Sequence, residues 1–277
     1  MKILKYISLV MMLVLAASCD KNEVEYNTES ISEMAEFQLH YFVPVTATTT
    51  NNIYKVVVNG DTIANKTAPL STYNAIPNGS VGRFYTVKPG KVNIKLYMST
   101  AFTLVYDKDV TLNVGKQNIF VYDFNKDPII FDNGYPYQAN LTEDTDSTCY
   151  VKFYNFLYET TGATSTLKLQ YQYTDPRTGA LVNIGKPVSF GETTGWQPVK
   201  IVKSLFNSSG YCPIVYKIKV VNADGSIGDD LMLWNSNKKY VAYTATTTEY
   251  IGRRYHHILG GMRSALPIAS TRQFTAL

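Results

Sequence analysis

Phe37-Gln38-Leu39-His40-Tyr41-Phe42-Val43 repeats with a period of two: Phe37, Leu39, Tyr41 and Val43 share one face of an extended segment, and Gln38 and His40 share the other. The same signature recurs downstream. Ile53-Tyr54-Lys55-Val56-Val57-Val58 stops at Asn59-Gly60-Asp61, where Asn-Gly predicts a tight hairpin because both residues tolerate positive φ. Phe84-Tyr85-Thr86-Val87 meets the turn Lys88-Pro89-Gly90-Lys91, after which Val92, Ile94, Leu96 and Met98 alternate with Asn93, Lys95 and Tyr97. Val110–Val114, a turn at Gly115-Lys116, and Ile119–Asp123 complete the set. Short strands at this spacing, separated by polar turns, predict an antiparallel sandwich.

Composition supports that class. Charged residues are 17% of the chain, and 22 tyrosines accompany many Thr and Val, a mixture that favours strands and is poor in helix formers. The chain carries 26 Lys+Arg against 22 Asp+Glu, with no concentrated basic face, which argues against a nucleic-acid partner.

Residues 132–147 break the alternation with Gly, Pro and a cluster of acids, and we place a linker there. The order of strands then repeats. Tyr150–Phe156 answers Phe37–Val43, and Thr166–Tyr173 with its Asp175-Pro176-Arg177-Thr178-Gly179 stop answers Ile53–Asp61. Ile214–Val220 answers the strand after Pro89-Gly90, while Leu231–Trp234 and Lys239–Tyr243 answer the closing pair. This is duplication by pattern. The matching Thr-Ala-Thr-Thr-Thr runs at 46–50 and 244–248 fall out of register with it and read as low complexity. The expected fold is all-β, two tandem antiparallel immunoglobulin-like sandwiches at 36–131 and 148–277.

Over residues 37–125 these strands and turns resemble an uncharacterised β-sandwich domain found in tandem on bacterial surface lipoproteins. The likeness thins in the second half, where Trp196-Gln197-Pro198 replaces the Pro-Gly turn. It implies a fold and a location, and no activity.

The first residues agree with that location. Lys2 and Lys5 precede the apolar run Ile7–Leu15, which ends in Ala16-Ala17-Ser18-Cys19. A charged start, a short apolar middle and small residues before a cut site form a secretory signal at 1–18, too short to span a bilayer. Leu15-Ala16-Ala17-Ser18-Cys19 resembles a bacterial lipobox, which implies acylation of Cys19 and anchorage to a membrane. Removing Lys2 and Lys5 leaves 24 basic against 22 acidic residues. Residues 19–35 are polar, a flexible tether, and their acids resemble the surface-export signals of Bacteroidetes lipoproteins. The expected location is the outer membrane, facing outward.

The sequence contains none of the usual motifs for catalysis, metal or phosphate. His256 and His257 are adjacent, so on a strand they point to opposite faces and cannot jointly grip a metal. The loop Asn222–Asp230 lacks calcium-hand spacing and reads as a hairpin with Asp224-Gly225 at its tip. No cofactor is called for. Cys149 and Cys212 are candidates for a disulfide in an exported chain, with two buried free thiols as the alternative. Tyr154, Trp196 and Trp234 are candidate stacking aromatics for sugar rings, with packing against the first sandwich as the alternative. Asp61-Thr62-Ile63 and Asp146-Ser147-Thr148 resemble O-glycosylation sites of exported Bacteroidetes proteins, at Thr62 and Ser147. Together these predict a non-catalytic, lipid-anchored surface protein for ligand binding or adhesion, glycan or protein. The alternative is a structural subunit or anchor of a fimbria or outer-membrane assembly.

Overall fold

Asn59 and Gly60 adopt φ of +50° and +94° and join two paired strands whose last and first residues, Val58 and Asp61, face each other. The two-residue turn expected from Asn-Gly thus forms the first hairpin. A computed structural model of the chain describes residues 31–78, 82–132, 148–235, 237 and 239–276. The signal, Cys19, most of the tether, nearly all of the 132–147 linker and Ser147 lie outside the described residues.

Strands are numbered along the chain. In the first sandwich, one sheet is centred on β1 (Ala35–Tyr41) and β8 (Gly115–Val121), edged by β4 (Asn74–Ile76), β5 (Tyr85–Val87) and β9 (Ile129–Asp132). The other runs β3 (Asp61–Ala64), β2 (Ile53–Val58), β6 (Gly90–Met98), β7 (Thr103–Leu112). Phe37, Leu39 and Tyr41 pack across to Val56, Ile94 and Leu96; the period-two reading set the first three on one face, and Ile94 and Leu96 on one face of their own strand. Pro89-Gly90 leads the chain from one sheet to the other, with Gly90 at φ +116°. β1 opens at Ala35, the residue expected to end the tether, already paired with Val87 and Gly115.

The second sandwich repeats the plan. β10 (Thr148–Thr160) pairs with β20 (Arg254–Met262), with β11 (Ala163–Thr164), β14 (Gln197–Lys200) and β21 (Ser270–Thr275) at the edges. The facing sheet runs β13 (Leu181–Val188), β12 (Leu169–Thr174), β15 (Cys212–Val221), and β15 also pairs β16 (Ile227–Asp230) and β19 (Thr244–Glu249). β17 (Met232–Trp234) and β18 (Tyr240–Ala242) form a separate ribbon.

Two expectations need correction. Lys239–Tyr243 is not the closing strand. That position belongs to β20, which lies against β10 as β8 lies against β1. The run 244–248 is not structureless low complexity: Thr244–Glu249 is a strand with Ala245, Thr247 and Glu249 buried. By contrast, 46–50 contains no strand and carries the start of a short 3-10 turn. Both sandwiches also close on a parallel pair, β1 with β8 and β10 with β20, inside otherwise antiparallel sheets.

Those parallel pairs meet back to back. The described residues from Ile31 onward form one compact unit, and a third core joins the two sandwiches. Phe42 and Phe120 from the first pack on Tyr154, Phe156, Ile258 and Phe274 from the second. Phe120 stacks on Phe156 at 4.7 Å between ring centroids, and each such ring pair contributes about 0.5–1.5 kcal/mol beyond the area it buries. Hydrogen bonds cross the joint as well, among them Tyr158 Oη to Tyr122 O at 2.7 Å and Lys152 Nζ to Asp132 O at 2.8 Å.

Candidate ligand cleft at the joint

Alternation along β10 sends Val151, Phe153 and Leu157 into the second core and Tyr154 and Phe156 into the joint. Tyr154 is fully buried, which removes it from the candidate stacking surface. Packing against the first sandwich, beside Phe120 and Phe42, accounts for Tyr154. Trp196 is half-buried, its ring 5.0 Å from that of His256 and near the Lys152 ammonium. Trp234 belongs to the β17–β18 ribbon and packs edge-on against Tyr240. The three aromatics therefore do not form one exposed platform.

Lys152 enters the joint between the rings of Tyr154, Trp196 and Phe131, and burial lowers its pKa to about 8. His256 turns toward it and hydrogen-bonds Tyr154 Oη through Nδ1 at 2.9 Å. His40, from β1, stacks on Phe120 at 4.3 Å and reaches Asn118 Oδ1 through Nε2. Burial holds both imidazoles below their ordinary range, His40 at about 4. Their other nitrogens, His40 Nδ1 and His256 Nε2, have no hydrogen-bond partner.

His257 points the opposite way, as its adjacency to His256 requires. Its Nδ1 meets Tyr171 Oη at 2.9 Å and its Nε2 lies 3.3 Å from Glu249 Oε1. The Glu249 carboxyl group accepts hydrogen bonds from Thr247 Oγ1 at 2.7 Å, Tyr216 Oη at 3.0 Å and Gln273 Nε2 at 3.1 Å, and Cys149 Sγ lies 3.8 Å from it. Cysteine, histidine and a carboxyl group are the residue types of a thiol nucleophile triad, but here the carboxyl group stands between the other two. Burial, with Glu249 beside it, pushes the Cys149 thiol well up, opposite to what nucleophilic catalysis needs. Cys149 and Cys212 are both buried free thiols, so the structure holds the second of the two states considered for them. Among the described residues no cluster of three or more His, Cys, Asp or Glu could hold a metal.

The chemistry accessible from outside lies where the joint opens to solvent. A cleft of about 280 Å³ is lined by Thr72, Tyr73, Asn74 and Asn78 of the first sandwich and Arg272 and Gln273 of the second. Thr72 and Tyr73 are each 8% exposed, yet Thr72 Oγ1 and Tyr73 Oη have no hydrogen-bond partner. An orphaned buried hydroxyl costs about 1–3 kcal/mol. Tyr73 also sits in the left-handed region at φ +57°, which costs a side-chain-bearing residue roughly 1–2 kcal/mol. Its amide hydrogen-bonds Tyr41 O and its ring packs edge-on against Phe42, so the joint holds this conformation. Burial raises the Tyr73 phenol pKa, and the nearby Arg272 guanidinium offsets part of that rise.

None of these residues was singled out from the sequence. Thr72 and Tyr73 precede a three-residue edge strand, and Arg272 lies two hundred positions away. Thr62, a candidate glycosylation site, is exposed on edge strand β3.

No family model and no curated protein matches the chain. Among solved structures, it is similar to the Bacillus anthracis TIE protein at 10% identity, over 83% of this chain and 34% of that one. The TM-score is 0.20, too low to bear on function.

Proposed function

We propose that this chain is a non-catalytic, lipid-anchored binding protein of the bacterial outer surface, related to the tandem β-sandwich lipoproteins it resembles, with its ligand seated in the cleft at the joint. One observation carries the binding half of this reading. Thr72 and Tyr73 form part of the wall of an open cleft, and their hydroxyl oxygens are buried in that wall without partners, on a backbone strained at Tyr73. Buried polar groups are normally satisfied, and strain retained at a cleft is a common mark of a binding site. Hydroxyl and amide side chains that both donate and accept suit a polyhydroxylated ligand, so the class is a glycan. The anchoring half rests on Leu15-Ala16-Ala17-Ser18-Cys19.

Two measurements test it. Growth with an alkyne fatty acid is expected to label the wild-type chain and not Cys19→Ser, and an unlabelled wild-type chain would remove the anchor. Glycan arrays probed with the full chain in detergent are expected to show saturable binding that Tyr73→Phe weakens. A blank array would remove the glycan.

An assembly role has its own support. Met232, Tyr240 and Val241 are exposed large apolar residues on the β17–β18 ribbon, a surface suited to strand addition or packing between subunits. Polymers or stoichiometric partners recovered in mild detergent would favour it.

A further inference from the structure

A second depression adjoins the cleft. It has a volume of about 300 Å³ and shares Asn74 and Asn78 with the cleft as a common wall. Its character differs. Pro69, Leu70, Ile76, Pro77 and Tyr85 line it, and the Tyr85 ring is held by a hydrogen bond from its hydroxyl to Ile63 O at 3.1 Å. Neither depression is lined by Asp or Glu, and Arg272 is the one charged residue among the described residues lining either.

We propose that cleft and groove are two subsites of one site, and that its ligand is an acidic glycan whose carboxylate docks on Arg272. The inference rests on the glycan reading above and adds the ligand's charge, length and direction. A guanidinium presents paired N–H donors that match a carboxylate. With no acid lining the site to oppose it, the field there favours an anion. The ring bearing the carboxylate lies beside Arg272 and Gln273, against the wall in which the unpartnered hydroxyls of Thr72 and Tyr73 are buried. The shared Asn74 and Asn78 amides lie where the first ring passes to the second. The next ring sets its apolar C–H face on Pro69, Pro77 and Tyr85, as sugar rings do on flat apolar side chains. Volumes near 300 Å³ are at the small end for ligand pockets, so each subsite takes one ring and the minimal ligand is a disaccharide.

The test compares two probes that differ in one group: a glucuronic-acid-containing disaccharide and the same disaccharide with its carboxyl reduced to the alcohol. Calorimetric titration of the full chain in detergent is expected to show the acidic probe binding about tenfold more tightly, the worth of one charge-assisted hydrogen-bond pair near a surface. That advantage is expected to shrink as salt rises. Arg272→Met is expected to abolish it, bringing the acidic probe's affinity down to that of the reduced probe, and Arg272→Lys to keep part of it. Equal affinity for the two probes, or an advantage that survives Arg272→Met at an unchanged melting temperature, overturns the acidic ligand while the glycan reading stands. Binding of neither probe overturns both.

Discussion

Tyr154 Oη lies 2.9 Å from Nδ1 of His256, across two neighbouring parallel strands, and both residues are fully buried. The bond belongs to a joint that gathers three cationisable groups, His40, His256 and Lys152, against aromatic rings. His256 lies near all the others: His40, Lys152 and His257 each push its pKa down further, after burial has done most of the work. The packing between the two sandwiches therefore includes imidazoles that burial disfavours in the charged form, with His40 edge-on to Phe274 of the second sandwich.

Acid should loosen the joint. The folded pKa of His40 is about 4, against an ordinary 6.5, and His256 is lowered too. Between these limits the unfolded chain binds protons that the folded chain does not, so stability rises with pH across the window and is lost as pH falls from about 6.5 toward 4. His40 alone accounts for on the order of 3 kcal/mol by the bottom of that window. Thermal melts from pH 7 to pH 4.5 are expected to show a falling midpoint. His40→Gln, which retains a donor for Asn118 but does not titrate, should flatten the slope. An unchanged slope in that variant would show that the acid sensitivity arises elsewhere.

Gly260 is a matter of space. A Cβ added there would lie 2.5 Å from Phe42 Cδ1 and 3.3 Å from Tyr73 Cδ1, inside the core of the joint. Gly260→Ala must displace the Phe42 ring, an overpacking cost of typically 1–3 kcal/mol. Urea titrations should show that loss. A variant as stable as the parent would mean that the two sandwiches pack more loosely than these rings imply.

Most of the strands were legible because most are buried on one face. Val92–Met98 alternates visibly because one side meets a core and the other is less covered; Phe37–Val43 is buried on both faces and was legible because polar Gln38 and His40 stand on the face that meets the joint. β20 was not legible for the converse reason. Arg-Tyr-His-His-Ile-Leu-Gly-Gly-Met is buried from its second residue onward, since one face meets the second core and the other meets the first sandwich, and a strand covered on both sides shows no period. β19 hid behind small side chains, its alternation carried by Ala and Thr. The cleft had no signal at all. It depends on a left-handed backbone at Tyr73 and on a joint that brings residues 72 and 272 to one opening, and neither is a local property of the chain.

The buried carboxyl group in the second core should be intolerant of change. Glu249 receives hydrogen bonds from Thr247, Tyr216 and Gln273 on its two oxygens. Glu249→Gln replaces one accepting oxygen with a donor, leaving at least one neighbour unsatisfied at a cost of about 1–3 kcal/mol. Chemical denaturation measures this directly, and a neutral result would mean that a rearranged network satisfies all of them.

Thiol chemistry separates the two states of Cys149 and Cys212. Both are buried, and burial holds both thiols above their ordinary range. Iodoacetamide in native buffer is therefore expected to modify neither, and in guanidinium to add two groups without prior reduction. Rapid native labelling would contradict the burial. Absence of labelling in guanidinium until a reductant is added would show that the exported chain is bridged.

Tyr73 should give effects of opposite sign on stability and on binding. Its hydroxyl is buried with no partner in the free protein, so it weakens the fold and gains only when a ligand meets it. Tyr73→Phe keeps the ring against Phe42 and removes only the oxygen. The free variant is expected to be as stable as the parent or more stable, by up to about 1 kcal/mol, while its affinity for a cleft ligand falls several-fold. A structural hydroxyl would behave the other way: its loss would lower the melting temperature and leave binding alone. Melting curves with and without ligand, on parent and variant side by side, distinguish the two cases, because only a binding hydroxyl reduces the ligand-induced rise in midpoint while leaving the unliganded midpoint intact.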